Sequence, residues 1–529
     1  MTRGGHAAVW VVALALTSCT LDFDAPVPVR LGPICPPTAP AALGLEVVPL
    51  DVTGSANAGA ALEDLDDDGD LDLVTCRGAL APGTTDVLET RSTDCSPAVV
   101  VDATATLLGP RTPTSSENAV AFLLVPLLDA HLDLLSADFN GDFGRALRGQ
   151  AGTPLWSTSG STFVPTGDGH LVGSGLSAGD LDGDGALDLV LDGYDGPPVD
   201  GQVLLTHGGA LHSLGVVPSL LRVGRTWIAD FDSDGEQEVL AIPADLTLGA
   251  HLLHIVGGAL VDDTTLTNTS SLTGLIEVAV GDLDGDGDLD LFAIRDDPGY
   301  FRATLVENAG TEWIVHTRDA LGGIGTEDLF NGGNTYPAFH AATADVDMDG
   351  RLDVLLDYEG HLQLLRNTSV RRASGVAYAL ERTDVSAAFG LPAHVGDHTT
   401  ISVGDLEGDG DVDIVLAIAG APLQLLRNTI GGVPWLRVRL RGPEGNTRGV
   451  GASVCVFAPG TLPASGCGGA GLVGMRAIHS NSAQAQALEA SIATPGLGHV
   501  ELRVVWPSGL GTTDLRGVRT ARAILVTPP

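Results

Sequence analysis

The chain has 529 residues, of which 44% are hydrophobic and 18% are charged. This composition excludes an intrinsically disordered chain. The chain is longer than a domain with a single hydrophobic core usually is, so we expect at least two domains. The formal net charge of −40 argues against nucleic acid and against an anionic membrane surface as direct partners. Glycine is abundant and aromatic residues make up only 4%, which favours short strands joined by many turns.

The first residues have the pattern of a targeting signal rather than of a folded element. Arg3 precedes an apolar run over residues 7–16, which is too short to span a bilayer as a helix. The run ends in Leu-Thr-Ser-Cys, which resembles the bacterial lipobox. The resemblance implies a lipoprotein signal over residues 1–19 and a lipid on Cys19, the chain's one predicted attachment to a membrane. We therefore expect an extracytoplasmic lipoprotein of the bacterial cell envelope, on the outer membrane or the cell surface, with residues 20–42 as a linker.

Five further cysteines follow Cys19, and an exported chain meets an oxidising compartment in which they can pair. The short spacings predict disulfides between Cys76 and Cys95 and between Cys455 and Cys467, which leaves Cys35 over in the linker. None of the spacings resembles a zinc site.

One pattern recurs along the chain: an apolar run, then Asp-x-Asp-x-Asp-Gly-x-x-Asp, then a second apolar run. A degenerate copy begins at Asp138, with Phe143 in place of the glycine and Ala146 in place of the last acid. Successive first positions lie 42–74 residues apart, enough for four short strands with their turns. The six intact copies begin at Asp64, Asp180, Asp230, Asp282, Asp345 and Asp405.

The repeated loop has the donor pattern of a calcium site. Oxygen donors at positions 1, 3 and 5 face one centre, position 7 supplies a carbonyl and the acid at position 9 completes the set. Glycine at position 6 permits the sharp turn. Positions 1, 3, 5 and 9 of the six loops hold 24 carboxylates, whose mutual repulsion a cation would offset, so we expect about six structural Ca²⁺ ions. The predicted ligands are Asp64, Asp66, Asp68, Asp70 and Asp72; Asp180, Asp182, Asp184, Ala186 and Asp188; Asp230, Asp232, Asp234, Glu236 and Glu238; Asp282, Asp284, Asp286, Asp288 and Asp290; Asp345, Asp347, Asp349, Arg351 and Asp353; and Asp405, Glu407, Asp409, Asp411 and Asp413.

The EF-hand shares the first six positions of this loop, but it needs a glutamate at position 12 and a helix on each side. Position 12 is threonine, leucine or alanine in every intact copy. The flanking runs are short, rich in β-branched residues and bounded by glycine, which is typical of strands. The sequence therefore excludes the EF-hand.

Loops of this form between two strands, followed by Leu-x-x-Asn, resemble the FG-GAP or VCBS repeats of integrin-type propellers. The second element occurs at residues 305–308, 364–367 and 425–428. Residues 50–53 resemble the family's outer strand, which implies that an N-terminal strand completes the last blade. The resemblance covers residues 43–430 and implies an all-β fold, a seven-bladed β-propeller with structural calcium and a binding surface on the loops of one face.

Residues 431–529 resemble a second family, the ASPIC/UnbV domain. They contain its Asn-x-x-Gly-x-Gly-Ala, Gly-Leu-Gly and Val-x-Trp-Pro-x-Gly elements in order, although Pro495 stands where that family usually has an aromatic residue. The combination with a propeller is similar to bacterial relatives of cartilage acidic protein. This region has nine arginines and four carboxylates, or +5, whereas the remainder carries −45, which supports a boundary near residue 430. Alternation over residues 435–440 and 500–506 predicts a small β-rich domain.

No nucleophile elbow, zinc-protease helix or phosphate-binding glycine loop accompanies the acids. The sequence therefore favours a noncatalytic binding or adhesion module, with an unidentified protein or glycan ligand at a propeller face. The alternative is a propeller that binds or cleaves carbohydrate in extracellular polymers. Clustered exposed aromatic residues would favour that alternative, but the chain has only 23 aromatic residues, and we expect Trp435 and Trp506 in the core of the last domain.

Overall fold

The computed structural model describes residues 44–48, 57–65, 69–77, 84–91, 99–102, 121–127, 130–137, 145–147, 149–150, 175–192, 201–216, 223–243, 245–262, 268–297, 300–316, 339–358, 361–372, 375–391, 399–418, 423–482 and 484–529. Over these residues the protein is all-β. No helix among them is long and apolar enough to cross a membrane. The predictions for Cys19, Cys35, Cys95 and the linker concern residues outside these ranges.

Among the described residues, strand β1 (Leu45–Val48) precedes seven sheets that follow one another along the chain, numbered here in that order. Sheet 1 contains β2 (Asn57–Glu63), β3 (Asp72–Arg77), β4 (Thr84–Arg91) and β5 (Val99–Asp102), and sheet 2 contains β6 (Ala121–Val125), β7 (Asp133–Ala137) and β8 (Arg145–Leu147). Sheet 3 contains β9 (Leu176–Gly179), β10 (Asp188–Leu191), β11 (Gln202–His207) and β12 (Ala210–Val216). Sheet 4 contains β13 (Val223–Ala229), β14 (Glu238–Pro243), β15 (His251–Val256) and β16 (Ala259–Asp262).

A 3-10 turn (Thr269–Ser271) leads to sheet 5, which contains β17 (Leu275–Gly281), β18 (Asp290–Asp297), β19 (Tyr300–Asn308) and β20 (Trp313–His316). Sheet 6 contains β21 (Phe339–Ala344), β22 (Asp353–Tyr358), β23 (His361–Asn367) and, after a hairpin of β24 (Val370–Arg372) and β25 (Gly375–Ala377), β26 (Leu380–Asp384). Helix α1 (Val385–Phe389) follows, and sheet 7 contains β27 (Thr399–Gly404), β28 (Asp413–Ile418) and β29 (Gln424–Asn428).

In every sheet except sheet 2, the first two strands are antiparallel and enclose one acidic loop. In sheet 5, Gly281 pairs with Asp290, so the loop from Asp282 joins the two strands as a tight connection. Val278, Ala279 and Val280 are all buried, although neighbouring residues of a strand point to opposite faces. Both faces of the strand are therefore covered, which explains the continuous apolar runs in the sequence.

The seven sheets contact one another in chain order. Strand β2 contacts β6, β6 contacts β9, β9 contacts β13, β14 contacts β17, β17 contacts β21 and β21 contacts β27. Strand β27 also contacts β2, so sheet 7 lies against sheet 1. No hydrogen-bonded sheet closes on itself within the described ranges.

The N-terminal strand joins the last sheet. Leu45 pairs with Asn428 and Val48 with Leu425, so β1 becomes the fourth strand beside β29. An N-terminal strand thus joins the last sheet, whereas residues 50–53, on which the sequence prediction of such a strand rests, lie outside the described ranges.

Sheet 2 corrects the placement of the degenerate repeat. Its first two strands are joined by residues 126–132, and Asp138 comes after β7, beyond the connection that corresponds to the other acidic loops. Asp133 takes the place of the last acid, because its buried carboxylate accepts hydrogen bonds from the amides of Leu127 (3.2 Å) and Gly149 (2.7 Å). The sequence contains a signal for this residue, since the Leu-Asp-Leu that ends several intact repeats recurs at residues 132–134.

The C-terminal region, residues 431–529, forms two further sheets. One contains β30 (Trp435–Leu440) between β35 (Glu489–Ala493) and β38 (Arg522–Val526), and the other contains β31 (Ser453–Phe457), β32 (Leu472–Ala477), β36 (His499–Val505) and β37 (Thr512–Arg519). A disulfide joins Cys455 to Cys467. Two short strands, β33 (Ser480–Asn481) and β34 (Gln484–Gln486), leave this body and join sheets 3 and 7.

The hydrophobic core of the C-terminal region is continuous with that of the earlier sheets. One buried cluster contains Val454 and Trp506 together with Leu135 of sheet 2 and Leu189 of sheet 3. A second cluster joins Phe457 and Met475 to sheets 4 and 5. The charge boundary near residue 430 therefore marks a change in composition, but the apolar packing runs across it.

Candidate metal loops

Each acidic loop is held by its own backbone. In all six, the Oδ2 atom of the aspartate at position 1 accepts a hydrogen bond from the amide of the glycine at position 6, at 2.9–3.2 Å. That glycine has a φ of 92–105°, a conformation that side chains disfavour. The residue at position 4 also has a left-handed backbone conformation in the five loops where it is described. It is Ser233 (φ 61°) in one loop and Met348 (φ 56°) in another, and the sequence motif does not indicate this conformation.

The acid at position 9 closes the loop. One of its oxygens accepts the amide of position 2 at 2.8–3.0 Å in every intact copy. In four copies the other oxygen accepts an amide of the third strand of the same sheet, at 2.7–2.9 Å. These amides belong to Thr206, Asn308, Asn367 and Asn428. This residue therefore ties the loop to its sheet in addition to any role as a ligand.

The structure brings the predicted ligands together in four loops. Carboxylate oxygens from positions 1, 3 and 9 lie within 4.8 Å of one another in the loops that begin at Asp180, Asp282 and Asp345. In the loop from Asp230 the group consists of positions 1, 3 and 5. Residues at position 7 are held against position 5, as when the amide of Arg351 donates to Asp349 at 2.9 Å.

The remaining two loops are less complete. Asp66 and Asp68 lie outside the described ranges, so only Asp64, Asp70 and Asp72 of the first loop are placed. The loop from Asp405 forms no such three-oxygen group within the described part of the chain. Its Glu407 lies 3.6 Å from the guanidinium Nε of Arg427 instead.

Burial destabilises the ionised form of the acids in these loops and raises their pKa values. Burial, followed by the charges of neighbouring aspartates, raises the pKa of Asp282 to about 7. Burial raises the pKa of Asp345 to about 7 against the attraction of Arg476, and that of Asp188 to about 8. The pKa of the fully buried Asp290 is raised well above its ordinary value for the same reasons. A cation would reverse this shift by stabilising the ionised form.

The donor set fits a hard divalent cation. The groups consist of carboxylate oxygens, the ligands that Ca²⁺ and Mg²⁺ prefer. A further cluster of possible metal ligands includes a histidine. The imidazole nitrogens of His207 lie 3.3 Å from the carboxylate of Asp182 and 3.1 Å from that of Asp184. This histidine comes from the third strand of sheet 3 and has no counterpart in the sequence motif.

Asparagines connect neighbouring sheets at the loops. The side-chain amide of Asn367 in sheet 6 donates to the carbonyl of Leu283 at 2.8 Å, and Leu283 is position 2 of the loop in sheet 5. Asn308 donates to Phe231 of sheet 4 at 2.6 Å, and Asn428 donates to Val346 of sheet 6 at 2.8 Å. These are the asparagines of the three Leu-x-x-Asn elements, which therefore join sheets 5, 6 and 7 to the loop of the preceding sheet.

The C-terminal region supplies donors to position 1 of four loops. Arg476 lies 3.5 Å from Asp345, and the fully buried Arg437 lies 3.4 Å from Asp405. Arg439 contacts Asp64, and the hydroxyl of Ser508 contacts Asp180. Trp435 and Trp506 are buried, as the sequence predicts.

No protein-family model and no curated relative matches the chain. Among solved structures, the rhamnogalacturonan lyase YesW aligns over 73% of this chain and 76% of its own length, with 16% identity and a TM-score of 0.37. AofleA from Arthrobotrys oligospora aligns over 66% and 89%, with 9% identity and a TM-score of 0.29. The SapL1 lectin, solved with alpha methyl fucoside, aligns over 65% and 96%, with 11% identity and a TM-score of 0.27. These neighbours are β-rich lectin-type and lyase-type folds, and at such TM-scores the similarity supports no argument about function.

Proposed function

We propose that the protein is a calcium-loaded, noncatalytic binding module of the bacterial cell envelope, anchored through lipid on Cys19. The observation that carries the calcium assignment is the convergence of three carboxylate oxygens within 4.8 Å in each of four loops. A multivalent cation would offset the mutual repulsion of oxygen donors at this density. The acids are thereby assigned to metal binding, and the proposal gives them no catalytic role.

The fold that we propose is a seven-bladed β-propeller, in line with the resemblance to FG-GAP and VCBS repeats. Three observations support it: each sheet contacts the next in chain order, β27 of sheet 7 contacts β2 of sheet 1, and β1 completes sheet 7. Such an arrangement presents loops on two faces, where ligands of propellers usually bind.

Two measurements test the proposal. Calcium bound per chain, measured by atomic emission after gel filtration, is expected at about four to six ions. Binding of the mature protein to arrays of glycans and of envelope proteins, with calcium and with chelator, is expected to yield a calcium-dependent ligand. A metal-free protein in millimolar calcium would refute the calcium assignment. Turnover of a glycan by the purified protein would instead support a carbohydrate-cleaving propeller.

A further inference from the structure

The acidic loop of sheet 3 lies beside an imidazole on the third strand of the same sheet. Thr206 donates its amide to Asp188 at 2.8 Å, and His207 follows it at the end of the strand. The Nε2 atom of His207 lies 3.3 Å from the Oδ2 atom of Asp182, and its Nδ1 atom lies 3.1 Å from the Oδ2 atom of Asp184. One ligand atom from each of these three side chains lies within 4.8 Å of the others, so a nitrogen and two carboxylate oxygens surround one point.

The nitrogen donor distinguishes this loop from three others. In sheets 5, 6 and 7 the amide that corresponds to that of Thr206 belongs to an asparagine, and the side chain of the next residue contains no nitrogen. These next residues are Ala309, Thr368 and Thr429. Among these four loops, an imidazole at this place therefore belongs to sheet 3 alone.

Position 3 of the loop also faces a different side chain in sheet 3 than in sheets 5, 6 and 7. In those three sheets it lies near an arginine, whose guanidinium compensates charge but offers a metal ion no lone pair. The contacts join Asp284 to Arg371 at 3.2 Å, Asp347 to Arg366 at 3.8 Å and Glu407 to Arg427 at 3.6 Å. In sheet 3 the two residues are Asp182 and His207, and a neutral imidazole has a nitrogen that binds metal ions. The histidine therefore adds a metal ligand where the other sheets have a fixed charge.

A second imidazole lies on the same face of sheet 3. His212 of β12 pairs with Leu205, which comes two residues before His207, so both histidines project from one side of the sheet. Their ring centroids are 6.0 Å apart. Imidazole is a ligand that suits Zn²⁺, Cu²⁺ and Ni²⁺, whereas Ca²⁺ and Mg²⁺ prefer oxygen. The nitrogen donors therefore favour a metal of a different class from the ion of the acidic loop.

We propose that sheet 3 has a second metal site, named here the outer site, in which His207, Asp182 and Asp184 bind a borderline divalent ion such as Zn²⁺. Zn²⁺ accepts both imidazole nitrogen and carboxylate oxygen as ligands. One ring nitrogen of His207 binds the ion, and the other donates to one of the two carboxylates, as is usual for a metal-bound histidine. His207 and Asp184 are 49% and 38% exposed, so the ion keeps a coordination position open for water or for an oxygen or nitrogen group of a partner.

The outer site and the acidic loop share Asp182. The loop's own group consists of Asp180, Asp182 and Asp188, and a carboxylate has two oxygens with which it can bridge two ions. The four carboxylates at positions 1, 3, 5 and 9 carry −4, which two divalent ions balance, since −4 + 4 = 0. The outer site is therefore compatible with a filled loop. It does not rest on the calcium loading proposed above, because its nitrogen comes from outside the loop.

Zinc titration of the mature chain in millimolar calcium, with free zinc measured by a competing chromogenic chelator, tests the outer site. His207→Ala is expected to bind zinc at least about 10-fold more weakly than the wild type, since even the loss of a side chain that only orients a ligand weakens metal binding by about this factor. His251→Ala is the matched control, because His251 also lies beside a carboxylate, that of Asp262 at 3.2 Å, but belongs to no three-ligand group within the described part of the chain. This control is expected to bind zinc as the wild type does. Equal affinities of the wild type and His207→Ala, or the same loss in both variants, would overturn the outer site.

X-ray absorption at the zinc edge of the wild-type chain, loaded with one equivalent of zinc, provides a second test that needs no variant. The spectrum is expected to show imidazole scattering, with nitrogen at about 2.0–2.1 Å from the metal. Coordination by oxygen alone would overturn the proposal. The two proposals fail separately: zinc bound through His207 without bound calcium refutes the calcium assignment alone, and bound calcium without zinc refutes the outer site alone.

Discussion

Replacement of Asn367 by alanine tests whether the asparagine bridges hold neighbouring sheets together. The Asn367 side chain is 1% exposed, and it donates to Leu283 of sheet 5 (2.8 Å) and to Leu352 (3.0 Å) while it accepts the amide of Ser369 (3.1 Å). Alanine removes all three hydrogen bonds and leaves two carbonyls and one amide with a partner lost.

A net hydrogen bond contributes about 0.5–1.5 kcal/mol, and a buried polar group left without a partner costs about 1–3 kcal/mol. We therefore expect Asn367→Ala to lower the free energy of unfolding by about 2–4 kcal/mol. Urea unfolding followed by tryptophan fluorescence, at one fixed millimolar calcium concentration, measures the change. Asn308→Ala and Asn428→Ala remove equivalent bridges and are expected to behave alike.

The control is Glu312→Gln, which alters an exposed acceptor of the Asn268 side chain and is expected to change stability by less than about 0.5 kcal/mol. If Asn367→Ala costs no more than this control, the reasoning that assigns the Leu-x-x-Asn element to connections between sheets is wrong.

Three further predictions concern the metal, the anchor and pH. Excess chelator is expected to lower the melting temperature by at least about 5 °C, since one loop filled at about 100 times its dissociation constant adds about 2.7 kcal/mol; identical curves in chelator and in calcium would contradict this. Cys19→Ala is expected to move the protein from the membrane to the soluble fraction, and unchanged fractionation and mass would rule out the anchor. Burial lowers the pKa of His479 to about 4. The folded protein therefore keeps this histidine neutral, and the stability that this contributes is complete above about pH 6.5 and is lost as the pH falls towards 4. Between pH 7 and 5 the wild type should therefore lose about 2 kcal/mol more than His479→Gln in urea unfolding, and parallel losses would contradict the assignment.

The acidic loops and their flanking strands could be predicted because their determinants are local. Each loop is built within nine residues: the aspartate at position 1 accepts the amide of the glycine at position 6, and the acid at position 9 accepts the amide of position 2. The apolar runs on both sides similarly predict buried strands, and β17 and β18 flank the loop from Asp282 as this pattern predicts.

Where local sequence was ambiguous, the prediction failed. The aspartates and the asparagine near residue 138 have the spacing of the repeat. In sheet 2, however, Asp133 accepts the loop amide that the acid at position 9 accepts in the intact copies, and it is the one acid of the motif kept there. An acid at position 9 can be kept without ligands at positions 1, 3 and 5 because it also accepts hydrogen bonds from backbone amides. The strand pairing shows this structural role, which the sequence motif does not.

What the sequence determined by itself is the repeating hairpin, its donor set and the change of charge at residue 430. The tertiary structure alone decided which groups meet across the chain: Arg437 contacts Gly69 across 368 positions, and Asn367 reaches Leu283 across 84. The pairing of β33 with β9 and of β34 with β27 belongs to the same class, since nothing in the sequence of these two short strands distinguishes them from a surface loop. The physical reason is that hydrogen bonds within a loop depend on neighbouring residues, whereas docking depends on the summed packing of sheets that are distant in sequence.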